Sequence, residues 1–353
     1  MTRYIIRRLL QAIPTLLGVS ILSFLLTYSA PGDPCIFQFD PRRTPEDLQR
    51  CYLQYGLDQP WLYQYLNWFT GIAIRLGDQV EATTGPRTRC TYVASLDTTV
   101  CDRSGGILRG DLGISMRTKG PVWGELVSRM PATLELGLAS LLLALFIGIP
   151  LGVLSAVYRG SIFDNVVRFF TVVGQAVPDF WMGLLLIFFF GVVLRIFPTG
   201  GRCTVSLSGE CQFWDWLHHL VLPAFVLAFG GIAVFSRLMR TEVLEVIHTD
   251  YIRTALAKGL APNSVWFVHA FRNAMIPLMT VLGPAFLGLL GGAVVTETIF
   301  SWPGMGRLVI DAVFAQDYPL VLGATMFFAV LVILGNLLSD ILYGLVDPRV
   351  RLV

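Results

Sequence analysis

The apolar residues of this chain come in long runs separated by polar stretches. The first run extends from Leu9 to about Ala30. Five more follow, roughly Thr133–Tyr158, Val166–Phe197, Leu222–Met239, Ile276–Val295 and Leu320–Leu345. At 1.5 Å per residue each is long enough to cross about 30 Å of hydrocarbon, so the pattern predicts six transmembrane helices. The third run exceeds one straight crossing, and Pro178 inside it predicts a break or kink near the cytoplasmic end. Arg3, Arg7 and Arg8 precede the first run, as in a signal peptide. The run is longer than a signal core, however, and Pro31-Gly32-Asp33-Pro34 follows it in place of an Ala-x-Ala cleavage site, so it reads as a retained helix.

The polar positions between the runs give direction. Arg3, Arg7 and Arg8 place the N-terminus inside. The turns that then fall inside hold Arg159 and Arg168, then Arg237, Arg240, Arg253, Lys258 and Arg272, and the C-terminus carries Arg349 and Arg351. The expected fold is therefore all-α and integral to the membrane, with six helices and both termini cytoplasmic. Residues 1–30 form the first span, 31–131 a large extracytoplasmic region, and 132–353 a five-helix core with a cytoplasmic loop at 241–275.

Composition agrees: 54% of the 353 residues are hydrophobic and 14% charged, where a soluble domain is about a quarter charged. The formal net charge of +2 and the lack of a basic tail give no reason to expect a nucleic-acid partner. All six cysteines fall in segments expected outside: Cys35, Cys51, Cys90 and Cys101 in the first loop, Cys203 and Cys211 in the second. The oxidising side of a membrane favours disulfides, and sequential pairing is the simplest arrangement. Four cysteines in one loop still allow three connectivities. A zinc site lacks a C-x2-C pair and a nearby His in that loop.

One polar stretch, "DYIRTALAKGLAPNSVWFVHAFRNAMIP" (250–277), stands out among the apolar runs. Thr249 or Asp250 suits the N-cap of a helix over Tyr251–Lys258, with Gly259 as its C-cap. Pro262 forbids simple continuation, and Asn263 or Ser264 is expected to cap a second helix. The product is a helical hairpin at the cytosolic surface. Composition alone leaves open whether its apolar residues pack on the chain's own bundle or meet another protein.

The stretch resembles the cytoplasmic coupling loop of permease subunits in binding-protein-dependent ABC importers, where Glu-Ala-Ala is followed three residues later by Gly. Here Arg253-Thr254-Ala255 precedes Leu256-Ala257-Lys258 and Gly259. "YIRTALAKGL" and "HAFRNAMIP" are similar to the peptide and nickel branch. So, in order, are "RRLLQAIPTLLGVSILSFLL", "PGDP", "YGLDQP", "GDLGISMRT", "MPATLELG", "FPTGG", "GGAVVTETIFSWPGMGRL", "DAVFAQDYPLV" and "LVDPRVR". An apparent insertion runs from about Ile72 to Gly105. The resemblance implies a type I importer permease fold in the cell membrane, with no cofactor. It also implies a second permease, two ATPase subunits and an extracytoplasmic solute-binding protein as partners. Arg253, Ala255, Leu256, Lys258, Gly259, Trp266 and Phe267 are then the expected ATPase-coupling residues. Peptides are the expected cargo, with nickel complexes and sugars handled by similar permeases.

The chain carries no G-x4-G-K-[S/T] phosphate loop and no H-E-x-x-H or G-x-S-x-G, so it is not read as an enzyme. An autonomous ion-coupled carrier would show inverted repeats, and six unlike spans argue against one. Within the spans Asp179 follows Pro178, which allows either a helix N-cap or a pathway-lining acid. Thr171 and Gln175 are expected to share its face by four-residue spacing. Glu135, Glu297, His218 and His219 fall at span ends, where solvation is the ordinary expectation. Gly148 with Gly152, and Gly288 with Gly292, have the spacing of close helix contacts, either internal or to a second permease.

Overall fold

The computed structural model describes residues 2–33, 35, 48, 52, 57–76, 89–93, 98–102, 105–204, 211–275, 277–278, 281–282 and 293–346. Among these, four helices are long and apolar enough to cross a membrane, or five if a bent pair counts as one span. They are α1 (Thr2–Ser29), α3 (Val122–Val157), α6 (Phe213–Ile247) and α10 (Tyr318–Val346). The fifth run read from sequence, Ile276–Val295, lies mostly outside the described residues, as do Gly288 and Gly292.

The bent pair is the third apolar run. Helix α4 (Ile162–Ala176) meets α5 (Asp179–Leu186) at 105°, and α5 continues as a π-helix over Ile187–Val193. The cause is local. Val177, immediately before Pro178, is extended (φ −82°, ψ 123°), because the proline ring disfavours helical geometry in the residue ahead of it.

The helices outrun their apolar cores. Helix α3 starts at Val122, ahead of the hydropathic boundary at Thr133, and α6 begins at Phe213, ahead of Leu222. Hydropathy marks where lipid is needed, whereas the helix continues for as long as one face packs.

The region between α1 and α3 adds elements that the apolar pattern did not predict. Helix α2 (Trp61–Thr70) leads into β1 (Ile72–Leu76), which joins β2 (Arg89–Val93) and β3 (Thr98–Asp102) in an antiparallel sheet ordered β1–β3–β2. The fold is thus helical in its spans and carries a small sheet within residues 72–102. These strands are short and rich in Val, Ile and Thr, which suits a pleated surface but is invisible to a search for spans.

The chain divides into two units, residues 1–129 with 308–330, and residues 130–307 with 331–353. In the first, the buried Asp317 carboxylate accepts hydrogen bonds from the Ser115 hydroxyl, the Met116 N–H at 2.9 Å and the Arg117 N–H at 3.3 Å. In the second, α3 crosses α6 at close range. A Cβ on Gly148 would stand 2.9 Å from the Ile232 carbonyl oxygen, and one on Gly152 2.8 Å from Met239 Cβ. This glycine pair therefore serves a contact inside the chain, one of the two alternatives left open above. Two short helices, α8 (Val294–Ile299) and α9 (Met305–Phe314), flank the Ser-Trp-Pro-Gly segment near the last span.

Candidate functional site

The hairpin at 250–275 forms as a helix, an elbow and a second helix. Helix α7 (Asp250–Ala257) starts after Thr249, which is extended at φ −76°, ψ 153° but makes no side-chain capping bond. The helix closes with Lys258 N–H on the Thr254 carbonyl at 3.0 Å and Gly259 N–H on Leu256 at 3.0 Å. Gly259 takes φ +80°, and a Cβ placed there would meet no atom within 4 Å, so backbone conformation rather than space demands glycine. Pro262 departs from expectation. It opens the second arm as its first residue, with Ala261 at the N-cap, since proline's missing N–H costs nothing at that position. The arm runs on as a π-helix over Val265–Ala270.

The hairpin has two faces. Ile252, Val265 and Ala270 are buried together, with Ala255, Trp266, Val246 and Ile247 packed against them. Ala255 and Trp266 thus belong substantially to the hairpin's own core. Leu256 (39%) and Phe267 (43%) are exposed, next to exposed Arg253 and Lys258. Asn273 Nδ2 donates to the Tyr251 hydroxyl at 2.6 Å and ties the arms together. The Arg253–Asp250 pair, 3.5 Å apart and largely exposed, contributes little.

Next to the hairpin's parent helix lies a cluster that sequence spacing did not reveal. Asp164, 1% exposed, sits in the first turn of α4. Its Oδ1 accepts from Arg240 Nε at 2.7 Å and from Ser155 Oγ at 2.6 Å, and its Oδ2 accepts from Arg240 Nη2 at 2.9 Å and from Gly160 N–H at 3.0 Å. A forked guanidinium meets a carboxylate in bidentate fashion, and α3, α4 and α6 are joined at one point. The local signal was Ser161-x-x-Asp164, in which Ser161 Oγ caps the Asp164 N–H at 3.2 Å. Nothing local marks Arg240, 76 residues away, as the partner.

The pathway candidates are separated. Thr171 and Gln175 lie on α4, and the 105° bend ends the shared helical face before Asp179. Asp179 is the first residue of α5, exposed, with Pro178 at the N-cap position and no side-chain capping bond. Thr171 Oγ1 donates to the Arg168 carbonyl at 2.8 Å.

At the opposite end of the second unit, solvation fails as the account of the span-end acids. Glu297 is fully buried. Its Oε1 accepts from Thr133 Oγ1 at 2.9 Å and its Oε2 from Arg307 N–H at 3.0 Å, while Trp302 Nε1 donates to the Ala132 carbonyl at 2.7 Å. A Cβ on Gly304 would collide with the Glu297 carboxylate, so the Gly-Met-Gly run leaves room for it. Glu135 pairs bidentately with Arg202, at 2.6 and 3.0 Å, and accepts from Trp216 Nε1 at 3.1 Å. His219 is buried, its Nδ1 2.8 Å from the Asp215 carbonyl, and His218 lies against the Phe197 ring.

Cys203 and Cys211 form a disulfide, with Cα atoms 5.8 Å apart. Cys35 is disulfide-bonded too; Cys51 falls outside the described residues. In the sheet, Cys90 stands directly opposite Cys101 in the β2–β3 register. Among the described residues no cysteine is free.

Residues 148–352 match the family described as binding-protein-dependent transport system inner membrane component, and residues 1–103 match the corresponding N-terminal membrane component. The chain is 42% identical over 352 residues to the oligopeptide transport system permease protein AppB of Bacillus subtilis (strain 168), covering 99% of this chain and 100% of that one. It is 40% identical over 371 residues to the dipeptide transport system permease protein DppB of Escherichia coli (strain K12), covering 99% of each. A solved structure described as inward facing conformations of the MetNI methionine ABC transporter aligns at 19% identity and a TM-score of 0.48, over 64% of this chain and 97% of that one.

Proposed function

Because the chain belongs to the family of binding-protein-dependent transport system inner membrane components, we propose that it is a permease subunit of an ATP-driven importer of dipeptides and oligopeptides. The full-length likeness to permeases named for those substrates carries the reading. The subunit itself is non-catalytic. It works with a second permease, two ATPase subunits and an extracytoplasmic solute-binding protein. Six spans with cytoplasmic termini fit the distribution of arginines between the apolar runs. Outside, Cys35–Cys51 and Cys90–Cys101 complete the disulfide set, the second supported by its cross-strand register.

Force enters through the hairpin at 250–275. Leu256 and Phe267 supply its exposed apolar contact with an ATPase groove, and Arg253 and Lys258 orient it. Ala255 and Trp266 support these from the buried side, and Gly259 sets the angle between the arms. The Asp164–Arg240 pair makes the parent helix α6 move with α3 and α4. Asp179, at the break in the third span, faces the translocation pathway together with Thr171 and Gln175 on the helix before it.

The test is Gly259→Val in the reconstituted importer. Valine at φ +80° costs about 1–2 kcal/mol or redirects the second arm. The expected outcome is normal membrane insertion with weakened ATPase co-purification, or hydrolysis uncoupled from peptide uptake. If Gly259→Val and Ala255→Glu both retain wild-type association and coupling, the coupling assignment is wrong.

A further inference from the structure

The segment between the first two apolar runs reads as an aqueous extracytoplasmic loop, yet part of it packs at the depth of a span. Helix α2 carries no charged side chain in "WLYQYLNWFT". It packs against the side of α1 rather than its end. The Tyr65 hydroxyl pairs with Ser20 Oγ at 2.9 Å, and the Phe24 ring meets Tyr65 edge-on at 5.4 Å and Trp68 at 5.8 Å. Ser20 is fully buried and Phe24 nearly so.

Depth along α1 follows from its outer end. There the Pro31 carbonyl accepts from Gln316 Nε2 at 3.2 Å and the Gly32 carbonyl from the Tyr318 hydroxyl at 3.5 Å, which sets it level with the first residues of α10, another span-length apolar helix. Ser20 lies about 13 Å below Ser29 and Phe24 about 8 Å below it, at 1.5 Å per residue. At that same level Leu22 (60%) and Leu26 (64%) of α1 are exposed, as a lipid-facing side should be. On the Ser20–Phe24 side α2 takes the place of lipid: the Ser20 hydroxyl donates to the Leu17 carbonyl of its own helix at 2.8 Å and accepts from the Tyr65 hydroxyl, which gives the polar tip of α2 a partner on α1. Trp61 (43%) and Leu62 (47%) remain exposed at the start of α2. An uncharged helix rich in Trp and Tyr is the composition of the membrane–water boundary.

We infer that α2 lies in the outer interface of the bilayer, seated on α1, with phospholipid as the partner of its Trp61–Leu62 face. This placement rests on α1 crossing the bilayer, as in the permease reading above, and is independent of the cargo. In this arrangement the extracytoplasmic region is held to the membrane by α2, and β1, which starts directly after Gly71, rises from the lipid surface.

The test uses the assembled importer in nanodiscs of phosphatidylcholine and phosphatidylglycerol. Nitroxide labels are placed on Leu62→Cys, on Leu22→Cys as the lipid reference and on exposed Lys119→Cys as the water reference. Collision with molecular oxygen and with a water-soluble nickel chelate is then measured. The expected result is nickel accessibility at Leu62→Cys about tenfold or more below Lys119→Cys, with oxygen accessibility matching Leu22→Cys, because a polar reagent is excluded from an apolar layer. Nickel accessibility equal to that at Lys119→Cys overturns the proposal. Exclusion of both reagents also overturns it, because the face is then covered by protein. A water-like Leu22→Cys would overturn it together with the span on which it rests. Trp61→Cys substitutes if the Leu62 variant does not assemble, and the same outcomes decide.

Discussion

Two aspartates begin the two halves of the broken third span, and they are treated in opposite ways. Asp164 opens α4 fully buried, with both carboxylate oxygens occupied by Arg240, Ser155 and Gly160. Asp179 opens α5 exposed and makes no capping bond. Both positions are favoured by the positive end of a helix dipole. The dipole therefore does not explain the difference. Asp164 is where tertiary structure delivers a guanidinium from α6, whereas Asp179 follows a proline break that turns the chain by 105° and leaves it exposed. A buried, saturated acid holds architecture, and an exposed acid at a break in an apolar span is free to meet a solute or a partner.

The contrast is tested most severely at the buried acid. Asp164→Ala strands Arg240 in a site that is only about a fifth exposed. Removing one member of a buried pair costs roughly 3–5 kcal/mol, so a large drop in melting temperature and in recovered complex is expected. A melting temperature unchanged from wild type would show that the three helices do not depend on this junction. Arg240→Lys sharpens the point. The charge stays but the fork is lost, and with it one of two charge-assisted bonds, at about 1–3 kcal/mol. Its melting temperature should fall between those of wild type and Asp164→Ala.

The smallest effect on stability belongs to Asp179→Asn. An exposed side chain with no capping bond should change stability by no more than about 0.5 kcal/mol. Peptide uptake by the reconstituted importer is nevertheless expected to change while expression and assembly hold. Normal uptake would remove Asp179 from the pathway and leave it an ordinary first-turn acid.

Much of this was legible in the chain. Among the described residues, four apolar runs marked span-length helices and a fifth the bent pair, Pro178 marked the break, and the glycine–proline punctuation around Gly259 and Pro262 marked the elbow. These are local signals, set by lipid thickness and by backbone geometry. The small sheet was not legible, because short Thr- and Val-rich strands become a sheet only when register is satisfied between segments apart in sequence. The positions of Glu297 and Glu135 near the ends of apolar runs predict solvation. Their pairing depends on Thr133, Arg307, Arg202 and Trp216, most of them remote in sequence. The division of the hairpin's apolar residues into a buried set and an exposed set likewise needed the packing of Val246, Ile247 and Ile252 behind it.

By itself the sequence determined that this chain lives in a membrane, where its apolar segments lie and where the third one breaks, because hydropathy and the proline and glycine conformations are properties of neighbouring residues. Only the tertiary structure decided which acids are paired and which face of the hairpin is free. It also set α2 against the side of α1 rather than beyond its end. Each of these depends on groups brought together from distant parts of the chain, and a carboxylate or an aromatic ring acquires its role from what stands within about 3–6 Å of it.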